Sequence, residues 1–314
     1  MPNLTAADIE KLCDDWCAAA SINEGGIVLS PATEKFRLYA NNVVFHELDH
    51  EALCAALIGL SKALLRPGLS IVVNLDHFAV WSWCGELLLA SMRLFPQEQR
   101  EIRSLYAACI NAALANCQKV PETEEEYKAQ MRTMELEPHN NAQLRQRSDL
   151  ILAYLGFPLL EAVLKRACAA YVAFDGQVIT AFSVPDKQGK PKLYGPNGSP
   201  GKSQCSSLRD LLFLHSTMIA GPRLKALVER FRVHLSDIDG AQDPFDLVYS
   251  WRNQSLHGST NFQTIGGSML SLSLLISLFE IEKDFESYRL LALENCRWEA
   301  QKPHKSKWTF YPPI

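Results

Sequence analysis

In the stretch WRNQSLHGST, residues 251 to 260, an arginine and a histidine stand close together, with Asn253 beside the arginine and Gly258 just after the histidine. These residue types suit phosphate chemistry. An arginine can stabilise the extra charge that builds on a phosphorus centre under attack, and histidine is the side chain best poised near neutral pH to move a proton. Counting about 100° per residue along a helix, Val248, Tyr249, Arg252 and Leu256 fall on one stripe. Arg252 therefore points with the apolar face. A guanidinium cannot shed its charge, and burying it unpaired costs several kcal/mol, so an anion is expected beside it. Asn253 and His257 share a flank of the same helix, and the three side chains can converge at its terminus.

The same residues have an ordinary reading, which spacing alone favours. Arg252 would pair with a core carboxylate such as Glu161, Asn253 would cap a neighbouring chain end, and His257 would be a terminal residue favoured by the helix dipole.

The pattern YxxRNxxxHG, carried by Tyr249, Arg252, Asn253, His257 and Gly258 and followed by a loop and a long apolar stretch, resembles the signature of HEPN domains. The segment YLGFPLLEAVLKRACAAYV resembles the helix that often carries an acidic residue in those domains, which points to Glu161. The resemblance covers roughly residues 145 to 290. It implies an all-helical bundle and, in catalytic members, a metal-independent endoribonuclease that needs no cofactor and works as a homodimer with both copies lining one cleft. Carried onto this chain, His257 handles protons at the 2′-hydroxyl or leaving oxygen, Arg252 holds the scissile phosphate, and Asn253 orients one of them. Cleavage through the RNA's own 2′-hydroxyl leaves a cyclic phosphate. A role in stress or phage defence follows, with an antitoxin or regulatory protein as a further partner. Other members keep the bundle only for dimerisation or protein contact, so the alternative is a catalytically silent interaction module.

The elements that must position these residues are mostly helical. Residues 4 to 20 read as an amphipathic helix, and Gly25 to Phe45 as a small strand pair. Helical patterns follow over about 49–65, 81–95 and 97–118, broken by RPG and FPQ. The polar stretch 119–147 marks a domain boundary near residue 140, giving an N-terminal, mostly helical domain (1–140) and a HEPN-like bundle (141–314). The bundle opens with two helical stretches hinged at Gly156 to Pro158. The Gly/Pro-rich segment 184–204, four of whose five charges are lysines, is a surface loop or hairpin. Helices fit LRDLLFLHSTM and PRLKALVERFRVHLSDI. Asp243 as N-cap, Pro244 and Asp246 start another, which Gly258 ends. A last long helix covers about Gly267 to Glu282, and the tail CRWEAQKPHKSKWTFYPPI reads as extended. The fold class is mainly α with a small β element.

Other motifs compete. HELDH, residues 46 to 50, has the HExxH form of zinc hydrolases, with His46 and His50 as ligands and Glu86 or His77 as candidates for a third. Asp49, however, reads as the N-cap of a helix starting there, which leaves His46 outside it. GPNGSPGKS approaches a phosphate-binding P-loop, but Pro196 and Pro200 spoil the backbone cradle. Its lysines, Lys187, Lys190, Lys192 and Lys202, belong to a solvated loop with RNA contact as the alternative. In the tail, Arg297, Lys302, Lys305 and Lys307 interleave with Trp298, Trp308, Phe310 and Tyr311. Packing of those aromatics onto the bundle competes there with stacking on bases. His215, on an apolar helix, reads as a satisfied core residue.

A net charge of −4 argues against a protein that coats nucleic acid or membrane and confines any RNA site to a compact patch. Nine cysteines without CxxC pairs read as reduced and buried. With no secretory or transit segment evident and no apolar run long enough to span a bilayer, the expected location is the cytoplasm.

Overall fold

Thr5, Asp49, Ser207 and Asp243 each stand just ahead of an apolar run, and each caps a helix. Their side-chain oxygens accept from Asp8 N at 3.3 Å, Ala52 N at 2.8 Å, Asp210 N at 3.4 Å and Phe245 N at 2.9 Å. Each bond satisfies a backbone donor that the first turn leaves without an intrahelical partner. The computed structural model describes residues 4–21, 28, 30–66, 75–116, 147–240, 243–256, 262–302 and 309–311, plus scattered positions between 124 and 144.

Among the described residues there are eleven α-helices. They are α1 (Ala6–Ala20), α2 (Pro31–Glu34), α3 (His50–Leu65), α4 (Leu75–Leu89), α5 (Arg100–Asn116), α6 (Ser148–Ala167), α7 (Leu208–Leu214), α8 (Pro222–Ser236), α9 (Pro244–Leu256), α10 (Phe262–Glu280) and α11 (Phe285–Ala300). A two-stranded antiparallel sheet, β1 (Phe182–Pro185) and β2 (Pro191–Tyr194), completes the regular structure. The fold is mainly helical, as its periodicity implies.

The centre is the crossing of α6 and α10. Glycines make the close approach possible: a Cβ on Gly266 would stand 2.8 Å from Ala153 N, and one on Gly156 would stand 3.1 Å from Met269 Cβ. Around this pair, α5 packs on α6, α3 packs on α10, and α1 and α8 pack on α3. Leu57, Trp81, Tyr106, Leu160 and Leu274 all belong to one continuous core. That core draws on both sides of residue 140, so the expected boundary there does not divide the core.

α10 is apolar nearly all round because both faces are covered, as a central helix requires. No single helix among the described residues is long and apolar enough to cross a membrane. Only the pair 265–280 and 282–300, bent by 66°, passes that test together.

Four expectations about elements change. The described part of Gly25 to Phe45 is not a strand pair but α2 and two 3-10 turns, Tyr39–Asn41 and Phe45–Glu47. The buried Asp76 carboxylate accepts from Leu38 N and Tyr39 N at 3.0 Å each, taking donors that a strand ladder would need. The β element is instead the 184–204 segment, which is the hairpin alternative. Its turn is built on Asp186 Oδ1, which accepts from Gln188 N and Lys190 N at 2.8 Å each. α6 runs unbroken with Pro158 inside it, because packing of Gly156 and its neighbours on α10 overrides the local break. The start of the expected extended tail is helical, since α11 reaches Ala300.

Candidate functional site

α9 is held in place at its start. Phe245 meets Phe213 edge to face at 5.0 Å between centroids, and the Arg232 guanidinium lies 4.8 Å from the Phe245 ring centroid. Arg232 Nη2 also bonds the capping Asp243 at 2.8 Å. With its first turn fixed this way, the helix aims Arg252 at α6. There Arg252 Nη2 meets Glu161 Oε2 at 3.0 Å, and Arg252 Nη1 donates to the Ser206 carbonyl at 3.4 Å. The anion that the helical phase calls for is therefore Glu161.

The other carboxylate oxygen of Glu161 meets Lys165 Nζ at 3.0 Å, so one carboxylate sits between two cations. The Arg252 side chain is 30% exposed and that of Glu161 is 18% exposed. Such a pair is neither fully desolvated nor at the rim, and the guanidinium reaches the surface. Asn253 is exposed, and Tyr249, one turn earlier, is half-buried. His257 and Gly258, which complete the pattern, lie outside the described residues.

Tyr249 lines a cavity of about 350 Å³ that the sequence reading does not anticipate. Its other walls come from the β1–β2 hairpin, the segment that links it to α7, and α7 itself, and include Lys187, Lys192, Lys202, Tyr194 and Arg209. Underneath lies a buried polar network. Asp210, only 1% exposed, accepts from Lys192 Nζ at 2.5 Å, Tyr194 Oη at 2.6 Å and Arg209 Nη1 at 3.2 Å. Arg209 Nε meets Asp246 Oδ1 at 2.7 Å, and its Nη2 donates to the Asp186 carbonyl at 3.1 Å. Burial alone would raise the Asp210 carboxyl, but the bonds from Lys192, Tyr194 and Arg209 outweigh it and hold the group below the ordinary carboxylate range. Tyr194 is pushed far upward, by burial first and by its bond to Asp210 second. The signal for this network in the sequence is the Arg209–Asp210 pair inside the otherwise apolar LRDLLFL, where buried charges demand partners.

The two HELDH histidines have separate surroundings. His46 sits in the 3-10 turn before α3, with Nδ1 3.4 Å from Tyr311 Oη. His50 opens α3, places Nε2 3.1 Å from the Leu278 carbonyl, and packs edge-on against Phe279 and Phe285. Asp49 caps the helix between them. His77 and Glu86 are also engaged elsewhere, with His77 Nε2 3.2 Å from the Leu60 carbonyl and Glu86 accepting from Phe310 N at 3.0 Å. Among the described residues, no group of three or more His, Cys, Asp or Glu side chains is arranged to hold a metal ion.

Phe310 and Tyr311 pack back onto the core, Tyr311 meeting Trp83 at 5.2 Å between centroids, whereas Trp298 is exposed. Lys305, Lys307 and Trp308 lie outside the described residues. His215 is buried at the head of a π-helical turn, His215–Ile219, that follows α7, and burial lowers its pKa to about 4.

No family model, curated protein or solved structure matches this chain.

Proposed function

We propose that this protein is a metal-independent endoribonuclease of HEPN type, cutting RNA through the 2′-hydroxyl at a site built around Arg252, Asn253 and His257. The observation it rests on is that Arg252 and Glu161, picked out by the resemblance from distant parts of the sequence, lie 3.0 Å apart, a contact that the ordinary ion-pair reading expects as well. In this reading Glu161 fixes the guanidinium at the end of α9, where it receives the scissile phosphate. Such a preorganised cation stabilises the charge that develops as the 2′-oxygen attacks. His257 takes or gives the proton, and Asn253, exposed on the next position, orients the phosphate or the imidazole. A homodimer in the cytoplasm would bring two copies of the motif to one cleft, with an antitoxin or regulatory protein as a further partner.

A second reading has its own support. Arg252 already bonds both Glu161 and the Ser206 carbonyl, which is what a catalytically silent dimerisation or protein-interaction module would need for stability alone.

Product chemistry separates the two. Incubated with end-labelled RNA in excess EDTA, the protein is expected to leave fragments ending in a cyclic phosphate and to spare the same RNA carrying 2′-O-methyl groups. RNA left intact by the dimeric protein overturns the nuclease reading in favour of the silent module.

A further inference from the structure

We infer that the cavity between the β1–β2 hairpin, α7 and α9 is a phosphate-binding site, with Lys187 and Lys202 as the cations that touch the ligand and the Arg209–Asp210 network as its rigid floor. Four cations line it, Lys187, Lys192, Lys202 and Arg209, against Asp186 and Asp210 in the lining and Asp246 bonded to Arg209, which leaves an excess of one positive charge in a chain whose net charge is −4.

The cations are not equivalent. Lys192 is neutralised by Asp210 at 2.5 Å and Arg209 by Asp246 at 2.7 Å, so these two build the site. Lys187 and Lys202 are exposed, and among the described residues neither forms an ion pair. Asp186, the carboxylate beside Lys187 in sequence, spends Oδ1 on two backbone donors of the hairpin turn.

Lys202 is also placed by backbone rather than left on a loose loop, and Lys187 follows the Asp186 that anchors the hairpin turn. Lys202 N donates to the Leu193 carbonyl at 3.0 Å, and the Lys202 carbonyl accepts from Gly195 N at 3.1 Å. That close return needs Gly201, whose φ is +108° and where a Cβ would fall 2.7 Å from the Leu193 oxygen. Two lysines without ion-pair partners at one opening favour an anion, and a singly or doubly charged phosphate group can bond both. A volume of about 350 Å³ admits a phosphate with an attached sugar.

The shared chemistry is the phosphate; its source is either the backbone of a polynucleotide or a free nucleotide. The backbone source rests on the nuclease reading, since Ser206 lines the cavity while its carbonyl accepts from Arg252, making the two sites neighbours.

The test measures binding, separately from cutting. The probes are a short single-stranded RNA, 2′-O-methylated and without terminal phosphate, and a mononucleotide monophosphate. Each is titrated against the wild-type protein, Lys187→Gln/Lys202→Gln and the distant control Lys11→Gln. The double variant is expected to bind at least about 10-fold more weakly, and for the RNA its salt dependence is expected to fall by about 1.4, two contacts at about 0.7 each. Lysine-dependent binding of the RNA assigns the site to a strand, and lysine-dependent binding of the mononucleotide alone assigns it to a free nucleotide. Wild-type-like binding of both probes by the double variant, or binding of neither by the wild type, overturns the inference. If lysine-dependent binding is found but RNA is never cut, the phosphate site stands and the nuclease reading falls. Cutting and binding that both ignore the lysines sink the site alone.

Discussion

Arg252 Nη2 and Glu161 Oε2 lie 3.0 Å apart, joining the last turn of α9 to the middle of α6. The pair ties the candidate motif to the central helix of the core, so any shift of α6 moves the guanidinium. Because both side chains keep some exposure, its worth is modest. A double-mutant cycle with Arg252→Ala and Glu161→Ala, read by urea unfolding, is expected to give a coupling of about 1 kcal/mol. Strictly additive effects would contradict a stabilising Arg252–Glu161 pair.

Gly266→Ala puts a helix-favouring residue into α10, worth up to about 1 kcal/mol, but drives a Cβ into the backbone of α6. The atoms met are Ala153 N at 2.8 Å and Leu152 C at 3.0 Å, which cannot swing away as a side-chain tip can. Overpacking costs of about 1–3 kcal/mol set against that gain leave a net loss of up to roughly 2 kcal/mol, and the backbone contact places the variant at the costly end. Thermal unfolding several degrees below the wild type checks this, and an unchanged or raised Tm would contradict the crossing geometry.

His77 is fully buried on α4, and burial lowers its pKa to about 3. Unfolded, it returns to about 6.5, so the unfolded chain binds more protons and stability from this group is present above about 6.5 and lost as pH falls towards about 3. Asp76, Glu86 and Glu280, raised by burial, act in the opposite sense. The histidine is therefore isolated by comparison with His77→Gln, which can still donate to the Leu60 carbonyl. Below about pH 6.5 the wild type should lose stability faster than the variant, by up to about 1.4 kcal/mol per pH unit. Parallel curves would show that His77 is protonated in the folded protein.

Much of this is legible in the sequence. Caps at Asp49 and Asp243 can be read from residue order, and helical phase asks for an anion beside Arg252, which Glu161 supplies, although the side chain keeps 30% of its exposure rather than being buried. Features that need contacts between distant segments are not legible. Asp76 reorganises the backbone at Leu38 and Tyr39, and nothing local to those residues announces it. The floor of the phosphate cavity joins Tyr194, Arg209, Asp210 and Asp246 from three elements, and only the charged pair within LRDLLFL hints at it. α11 shows a helical spacing in its buried residues Phe285, Tyr288, Ala292, Leu293 and Cys296, but its polar composition and the basic aromatic tail behind it obscure the pattern.

The nuclease reading depends on Arg252 and His257 acting on RNA, and the most direct measurement is the cleavage rate of labelled RNA in excess EDTA by Arg252→Ala and His257→Ala beside the wild type. Wild-type protein is expected to cut, and each variant, with its fold verified by thermal unfolding, to be slower by about 100-fold or more. Cleavage by either folded variant at the wild-type rate would contradict the assignment of the site.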